Sequence, residues 1–326
     1  MFCGFPIVPI FQSSIIPVFL FQYSNIPDFR EWLMQVGYYP GCSLESTAKE
    51  FDLSIRAILK ELGVSLKEIP DWNCCGASPA HYLNEELAVA LPYRNLVNSE
   101  EAGLDQVVSP CPACYSHLKH VHEQIGKDPC LARRLQVLTG KGYKGSVRSK
   151  HILDFIKEDV GLDTLKSSLK TSLKGLKVAS YYGCLTRLPG VDMDDRENPV
   201  LMDEIVSAIG GEPLDWSHKT ECCGASLSVT RTEIALRLTR SILESAQEKG
   251  ADCIAVVCPL CQSNLDTRQG DINKTYGTNY RLPILYLSQL IGLTQKLAWE
   301  QLGLNRLIID ARELISKKGI LEAEAS

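Results

Sequence analysis

The cysteines have the clearest chemical potential in this sequence, because they are clustered and their spacing is repeated. The segment Cys74-Cys75-Gly76-Ala77-Ser78 recurs as Cys222-Cys223-Gly224-Ala225-Ser226. Adjacent cysteines cannot easily pair with each other, and their two thiols cannot both face one packing partner. Two copies of the segment therefore indicate a metal-centred arrangement that the chain uses twice.

Each half of the chain contains five cysteines in one order. In the first half, 31 residues separate Cys42 from Cys74, and 35 separate Cys75 from the pair Cys111-x-x-Cys114. In the second half, the corresponding separations are 37 and 34 residues, and the cysteines are Cys184, Cys222, Cys223, Cys258 and Cys261. Equivalent cysteines lie 142, 148 and 147 residues apart, which indicates a duplicated unit with small loop changes.

The number of thiols distinguishes between metal sites. A structural zinc ion takes four ligands, so a zinc site in either half would leave one thiol spare. An ordinary cubane iron–sulfur cluster also takes four cysteines. Five thiols favour an atypical iron–sulfur cluster in which one thiolate bridges two irons, or a cluster beside one reactive thiol. Zinc in one of the sites is the less favoured alternative.

The composition is that of an ordinary globular protein of enzyme size. The chain has 326 residues, 45% hydrophobic and 22% charged, with a formal net charge of −5. This mildly acidic balance argues against nucleic acid as a principal partner. Thirteen clustered cysteines in a chain of this length favour metal or redox chemistry over a disulfide scaffold, and we expect a cytoplasmic protein.

The first 33 residues differ from the rest of the chain. Residues 5–23 are apolar but contain three prolines, and no lysine or arginine precedes them. They therefore match neither a signal peptide nor a membrane-spanning helix. We predict that Met34 is the true start and that residues 1–33 are an upstream extension; a poorly ordered tail or a peripheral membrane contact is the alternative. No other run reaches membrane-spanning length, so no integral membrane span is expected.

Short apolar runs alternate with segments of helical periodicity from Met34 onward, which predicts an α/β fold. We expect two duplicated Rossmann-like three-layer units with parallel strands and with the cluster-binding loops at the carboxyl ends of the strands. The predicted boundaries are residues 34–160 for the first unit, 161–177 for a linker, and 178–326 for the second unit with its C-terminal helices. The predicted strands cover residues 35–39, 64–69, 105–109, 178–182 and 252–257. The predicted helices cover residues 45–62, 83–101, 115–124, 131–138, 151–160, 199–209, 232–249, 284–293 and 303–314.

The complete cysteine pattern resembles that of the Cys-Cys-Gly (CCG) domain, and two copies in one chain resemble the B subunit of heterodisulfide reductase. The resemblance covers residues 35 to about 293, with a slightly short second gap in the second half. It implies two non-cubane [4Fe-4S] clusters that face a shared cavity in which a disulfide is cleaved. The implied ligands are Cys42, Cys74, Cys75, Cys111 and Cys114 for one cluster, and Cys184, Cys222, Cys223, Cys258 and Cys261 for the other.

The same resemblance implies a catalytic subunit that works within a complex. Electrons would arrive from a ferredoxin-like iron–sulfur C subunit, supplied by a flavin-containing A subunit, and would reduce or reversibly form a small disulfide in two one-electron steps. The sequence has no recognisable flavin or nicotinamide fingerprint of its own. CCG proteins also resemble subunits of quinone-linked succinate, lactate and glycolate dehydrogenases, so electron exchange with quinone is the alternative. A zinc-binding structural protein is a third possibility.

Four other polar residues lie near the cysteines in sequence. His81 could donate a proton to a departing thiolate, although a helix cap or a surface histidine is the simpler interpretation. Arg187 could offset cluster charge or hold an anionic substrate group. His117 and His120 lie one turn apart after Cys114, where a solvated helix face is the expected environment.

The remaining cysteines and the glycines of the repeated segment have simpler interpretations. Cys253 lies within an apolar strand and is expected in the core, while Cys3 and Cys130 are treated as structural or incidental. Gly76 and Gly224 are expected to let the backbone pass close to the cluster sulfurs.

Overall fold

The computed structural model describes residues 34–77 and 79–320, so the predicted extension over residues 1–33 lies outside the described residues. Over the described residues, the chain forms two four-stranded parallel sheets flanked by helices. The predicted α/β fold with two repeated units is confirmed.

The first sheet has the strand order β2-β1-β3-β4. Its strands are β1 (Met34–Tyr38), β2 (Val64–Glu68), β3 (Gln106–Ser109) and β4 (Arg148–His151). Its helices are α1 (Gly41–Glu45), α2 (Lys49–Glu61), α3 (Pro79–Leu83), α4 (Glu85–Glu101), α5 (Pro112–Lys127), α6 (Pro129–Thr139), α7 (Ile152–Asp154), a π-helical turn (Phe155–Gly161) and α8 (Leu162–Ser167).

The second sheet repeats this order as β6-β5-β7-β8. Its strands are β5 (Lys177–Tyr181), β6 (Glu212–Pro213), β7 (Cys253–Val256) and β8 (Ile284–Tyr286). Its helices are α9 (Leu201–Ala208), α10 (Thr232–Glu248), α11 (Pro259–Thr267), α12 (Gln269–Tyr276), α13 (Leu287–Thr294) and α14 (Arg312–Lys317), with short 3-10 turns at Leu185–Arg187, Ala225–Leu227 and Leu304–Arg306.

The central strands are apolar because helices cover both faces of each sheet. All four residues of β7 are fully buried, including Cys253, which is a core cysteine as expected. Continuous apolar runs of this kind are typical of parallel strands that are buried on both faces. The helices contribute one apolar stripe each; in α2 the buried residues include Phe51, Ile55 and Ile58.

Each Cys-x-x-Cys pair lies across the start of a helix. Cys111 and Cys258 are the N-cap residues of α5 and α11, and Pro112 and Pro259 follow them. Proline is well suited to the first helical turn, because it lacks an N–H that would have no partner there. This local sequence therefore fixes where both helices begin, directly after a central strand.

The edge strands β4 and β8 are the main errors of the sequence prediction. Residues 151–160 and 284–293 were expected to be helical throughout, but His151 ends β4 and residues 284–286 form β8. Both strands are only three or four residues long and run directly into a helix, so their pattern merges with that of the helix. The expected helix over 303–314 is a 3-10 turn followed by α14.

The two halves pack against each other through named contacts. Phe51 on α2 stacks on Tyr286 at the end of β8, with ring centroids 4.1 Å apart. Close by, the hydroxyls of Ser54 and Ser288 lie 2.7 Å apart. Within the described part of the chain, no helix is long and apolar enough to cross a lipid bilayer.

Candidate metal centres and their shared cavity

The motif cysteines lie beyond the carboxyl ends of the central strands. Cys42 follows β1, Cys111 follows β3, and Cys184 and Cys258 hold the equivalent places after β5 and β7. In both sheets, the chain continues from the first central strand to the neighbour on one side and then crosses to the other side. Ligands of open α/β sheets bind outside this reversal point.

The structure brings the first set of cysteines together as close sulfur pairs. The Sγ atoms of Cys42 and Cys74 are 3.6 Å apart, and those of Cys75 and Cys114 are 3.4 Å apart. These distances exceed a disulfide bond, and the thiols are free. Cys42 and Cys74 are exposed, while Cys75, Cys111 and Cys114 are buried.

The second set repeats the inner of these two pairs. The Sγ atoms of Cys223 and Cys261 are 3.6 Å apart, close to the separation of the equivalent pair in the first set. Cys184 and Cys222 are exposed, and Cys223 and Cys261 are buried, whereas Cys258 is half-buried. The five-cysteine grouping in each half, inferred from spacing, therefore corresponds to a grouping at one edge of each sheet.

Backbone N–H groups point at the sulfur of the first cysteine in each Cys-Cys-Gly segment. The Gly76 N–H donates to Cys74 Sγ at 3.4 Å, and the Gly224 N–H donates to Cys222 Sγ at 3.3 Å. Hydrogen bonds of this kind stabilise thiolates and tune the potential of a bound cluster. The two glycines thus contribute a donor to the sulfur, in addition to the left-handed turn that they adopt.

Two other glycines leave no room for a side chain beside a buried sulfur. Gly41 has φ +69°, and a Cβ placed on it would lie 2.8 Å from Cys114 Sγ. Gly183 has φ +57°, and a Cβ there would lie 3.1 Å from Cys261 Sγ. Any side chain at either position would therefore push on a buried sulfur.

The thiols of each set differ in acidity. A hydrogen bond with Cys75 lowers the pKa of Cys74 to about 5, and a hydrogen bond with Cys261 lowers the pKa of Cys223 to about 7. Hydrogen bonds with neighbouring cysteines, together with burial, raise the pKa of Cys114 and of Cys261. Each set therefore combines thiols that ionise readily with thiols that keep their protons until a metal displaces them.

The first Cys-Cys-Gly segment is held by side chains from α4 and from the end of β1. The buried Asn95 accepts the Asn73 N–H at 2.9 Å and donates to the Asn73 carbonyl oxygen at 2.8 Å, which imitates strand pairing. The Tyr39 hydroxyl donates to the same carbonyl at 2.7 Å. Tyr181 makes the equivalent bond to the Glu221 carbonyl at 2.6 Å. Tyr39 and Tyr181, at the ends of β1 and β5, therefore hold the Cys-Cys-Gly segments in position in addition to packing in the core.

The second Cys-Cys-Gly segment is held differently. Lys219 is buried, and its ammonium group pairs with Asp203 on α9. The Lys219 carbonyl accepts the N–H groups of Tyr182 and Gly183, which joins the segment to the end of β5. Asn264 donates to the Cys223 carbonyl oxygen at 2.7 Å.

The donor set fits iron–sulfur clusters. Soft thiolate ligands select Cu(I), zinc or iron–sulfur clusters, and the five sulfurs of each half share one strand-end crevice with N–H donors. Among residues 34–77 and 79–320, no three cysteine, histidine, aspartate or glutamate side chains are arranged around the position of a single metal ion.

A cavity of about 530 Å³ lies between the two halves. Six motif cysteines line it: Cys111, Cys184, Cys222, Cys223, Cys258 and Cys261. All five members of the second set therefore border this space, whereas the first set reaches it through Cys111. Its volume is within the range of about 300–1,000 Å³ that is typical of small-molecule sites.

Most of the remaining cavity wall is apolar. The side chains include Val89, Val121, Leu188, Pro189 and Leu260. Among the residues that the structure describes, no lysine or arginine lines the cavity. The wall would therefore accept an uncharged molecule more readily than a strongly anionic one.

Three histidines of the first half also line the cavity. His81 on α3 is exposed and borders the cavity, and its ring centroid is 5.3 Å from that of His117 on α5, but its role as a proton donor stays a prediction. His117 and His120, which were expected on a solvated helix face, are half-buried and border the cavity. Their position one turn apart after Cys114 was the available signal, since a helix that begins at a cluster ligand points its first turns towards the site.

Arg187 has a different environment. Its guanidinium group donates to the Arg196 carbonyl oxygen at 3.4 Å and to the Thr220 hydroxyl at 3.3 Å. In the described chain, the cavity wall that follows Cys184 is formed instead by Leu188 and Pro189. A role for Arg187 with a cluster or an anionic substrate stays a prediction.

Comparison with known families identifies the repeated unit. The cysteine-rich CCG domain family matches residues 36–119 and 178–266. The two matched ranges contain all ten motif cysteines.

Two curated proteins are similar over almost their whole length. The 8-methylmenaquinol:fumarate reductase membrane anchor subunit of Wolinella succinogenes is 33% identical over 86% of this chain and 99% of its own. The B subunit of the ferredoxin/F420H2-dependent CoB-CoM heterodisulfide reductase of Methanosarcina acetivorans is 31% identical over 87% of this chain and 97% of its own.

A solved structure shares the fold. A hypothetical protein from Helicobacter pylori superposes with a TM-score of 0.70 at 13% identity, over 85% of this chain and 52% of that one. At this identity the likeness concerns the fold alone.

Proposed function

Because this chain belongs to the cysteine-rich CCG domain family, we propose that it is the catalytic iron–sulfur subunit of a heterodisulfide-reductase-like complex. Each half would hold one non-cubane [4Fe-4S] cluster through its own five cysteines. When bound, such clusters supply electrons one at a time, whereas a disulfide needs two.

One observation carries the proposal: cysteines of both duplicated sets border a single cavity. The region beside the five cysteines of the second set would hold that cluster, and the region between α5 and Leu188 would hold the substrate. The apolar wall keeps water from the reacting group, and His81 and His117 are placed to move protons. The two halves thus provide a site that neither could form alone.

Electron supply requires partners under this proposal. The chain carries no recognisable flavin fingerprint, so we expect a ferredoxin-like C subunit to reduce the clusters and a flavin-containing A subunit to reduce that partner. The curated relatives are named as subunits of larger reductases, which supports a role within a complex.

Quinone is the second candidate substrate, and two observations favour it. The cavity wall is apolar and, among the described residues, without lysine or arginine, which suits a neutral quinone. One relative is named for a methylmenaquinol substrate. In that case the same clusters and cavity would exchange electrons with a quinone ring instead of a disulfide.

The deciding experiment compares the two acceptors on one sample. Cluster-loaded protein, chemically reduced and free of excess reductant, is mixed with CoB-CoM heterodisulfide, with other small disulfides, or with a soluble naphthoquinone. Disulfide-dependent reoxidation supports the leading proposal. Reoxidation by the quinone with none by any disulfide rejects it in favour of the second candidate.

A further inference from the structure

The duplicated halves differ in one chemical respect at the cavity: the histidines occur on one side. His81 follows Cys75 by six residues, and Val229 follows Cys223 by the same number. His117 and His120 follow Cys114 by three and six residues. At the equivalent places after Cys261, the second half has Asn264 and Thr267. Half of the six histidines of the chain therefore border one cavity, and all three come from the first half.

The replacement in the second half has a structural role. The Asn264 amide donates to the Cys223 carbonyl oxygen at 2.7 Å and to the Thr239 hydroxyl at 2.9 Å. Its oxygen accepts the Ser228 hydroxyl at 2.9 Å. All of these bonds hold the second cysteine segment in place. The second half thus supports the cysteines at the position where the first half presents a group that can carry protons.

The two closest histidines form a path from solvent into the cavity. His81 is exposed on the short helix α3, while His117 is half-buried on α5. Their ring centroids are 5.3 Å apart, so the rings are neighbours. The second cysteine set lines the same cavity. The path therefore runs from the surface, through the first half, towards the space beside that set.

The inner histidine is in the protonation state that a relay needs. Burial, together with the charges of His81 and His120, lowers the pKa of His117 to about 4. At neutral pH its ring is uncharged, so it can accept a proton at one nitrogen and release one from the other. The other titratable groups that line the cavity are Glu85 and the six cysteines.

We propose that His81 and His117 form a proton relay from solvent to a two-electron acceptor in the cavity, at the side facing the second cysteine set. The inference rests on the proposed function, but it holds for either acceptor. A disulfide takes two electrons and two protons, its S–S bond breaks, and two S–H bonds form. A quinone takes the same number and becomes a quinol with two O–H bonds. The electrons come from the reduced clusters, which the iron–sulfur partner reduces again.

Single-turnover kinetics of the reduced, cluster-loaded protein test the relay. The variants are His117→Gln and His81→Gln, and the matched control is His122→Gln on the same helix as His117, where the ring contacts the Tyr143 hydroxyl at 2.8 Å. Each protein is mixed with a small disulfide, with a soluble naphthoquinone, and with ferricenium. Ferricenium takes one electron and no proton, so it reports on the clusters alone.

The expected result is selective. His117→Gln slows reoxidation by the two-electron acceptor by about 10²-fold, the lower end of the usual range for general acids. His81→Gln slows it less, because water can partly replace an exposed histidine. Reoxidation by ferricenium stays unchanged in both variants, and His122→Gln behaves as the wild type in every assay.

A second readout does not depend on activity. Histidine side-chain NMR of the oxidised, cluster-loaded protein follows the titration of His117. Because the charge of His81 lowers the pKa of His117, His81→Gln raises that pKa, whereas His122→Gln leaves it in place.

The outcomes separate the relay from the proposed function. If a disulfide or a quinone reoxidises the wild type and both relay variants match its rate, the relay is rejected, and the acceptor that reacts decides separately between the two proposed functions. If the wild type reacts with ferricenium but with neither two-electron acceptor, the proposed function fails and the relay falls with it.

Discussion

Gly41 shows how a single residue can determine whether a cysteine set closes. It lies directly before Cys42, in a left-handed conformation that favours glycine, and the space that a Cβ would need is taken by Cys114 Sγ. The conformational cost and the steric conflict are separate effects, and the chain offers a way to distinguish them. Gly103 has the same φ of +69° but has nothing within 4 Å of its hypothetical Cβ.

We therefore predict that Gly41→Ala loses the first cluster, while Gly103→Ala keeps both. Both substitutions add about 1–2 kcal/mol of backbone strain, so a difference between them reports the contact with sulfur. Iron analysis of the anaerobically purified variants should give about half of the wild-type iron for Gly41→Ala. Equal iron contents in the two variants would show that the protein accommodates the added methyl group, which would otherwise lie 2.8 Å from Cys114 Sγ, without losing the cluster.

His151 is a second residue whose environment makes a direct prediction. Its Nε2 bonds to the Pro110 carbonyl oxygen at 2.9 Å, just before Cys111, and its Nδ1 accepts the Leu153 N–H at 3.3 Å. Both ring nitrogens are thus used by the neutral form. Burial lowers the pKa of His151 from 6.5 to about 3.

The sign of the pH effect follows from that shift. Between pH 6.5 and 3 the unfolded chain binds a proton at His151 that the folded chain does not, so its contribution to stability is lost as the pH falls through this window. The full effect is about 1.4 kcal/mol per pH unit. Thermal unfolding of the wild type and of His151→Gln, measured from pH 7.5 to 5, should show the weaker pH dependence in the variant. Parallel curves would contradict the assignment.

At the scale of the elements, the two Cys-Cys-Gly segments are held in place by partly different contacts. A tyrosine hydroxyl holds each Cys-Cys-Gly segment, but the first is also held by the amide of Asn95, whereas the second depends on the buried pair of Lys219 and Asp203. A buried ion pair gains little over an apolar replacement, but removal of one partner leaves an unpaired buried charge.

Asp203→Asn should therefore destabilise the protein by about 3–5 kcal/mol. The side chains of Lys219 and Asp203 are 5% and 15% exposed, so solvent screens them little. The matched control is Glu313→Gln in the exposed pair with Lys317, for which little change in stability is expected because solvent screens the pair. Chemical denaturation of both variants measures the difference. A similar small change in both would mean that Lys219 finds another partner.

The central strands and the edge strand β2 were predictable from the sequence, whereas the short edge strands β4 and β8 were not. The strands β1, β3, β5 and β7 are apolar runs that end close to motif cysteines, so both their type and their role could be inferred. The edge strands β4 and β8 are too short to show the hydrophobic pattern of a strand before the following helix begins. The cysteine sets were likewise inferred from spacing. The inward position of His117 was not inferred, although its place one turn after Cys114 on the same helix was a signal for it.

At the scale of the whole molecule, duplication has produced two similar sets with different surroundings. The cavity is bordered by all five cysteines of the second set but only by Cys111 of the first, and its histidines come from the first half. Under the proposed function, the second set would face the substrate and the first half would supply protons. This asymmetry is absent from the cysteine pattern, which is the same in both halves.

The two sets should bind metal independently, because each is formed by one sheet. Cys75→Ala should lose about half of the iron and leave the second cluster in place. Cys253→Ala is the matched control, since Cys253 is equally buried but belongs to neither set. Iron content and the electron paramagnetic resonance spectrum of each variant measure the effect. Loss of all iron from Cys75→Ala would show that the sets are not independent.

The central claim is that the ten cysteines hold two four-iron clusters. Its most direct measurement is the iron, acid-labile sulfide and zinc content of anaerobically purified protein, with electron paramagnetic resonance before and after addition of a disulfide. We predict about eight irons and a matching amount of sulfide for each chain, with a new signal when the disulfide is added. Two zinc ions for each chain, without sulfide, would contradict it.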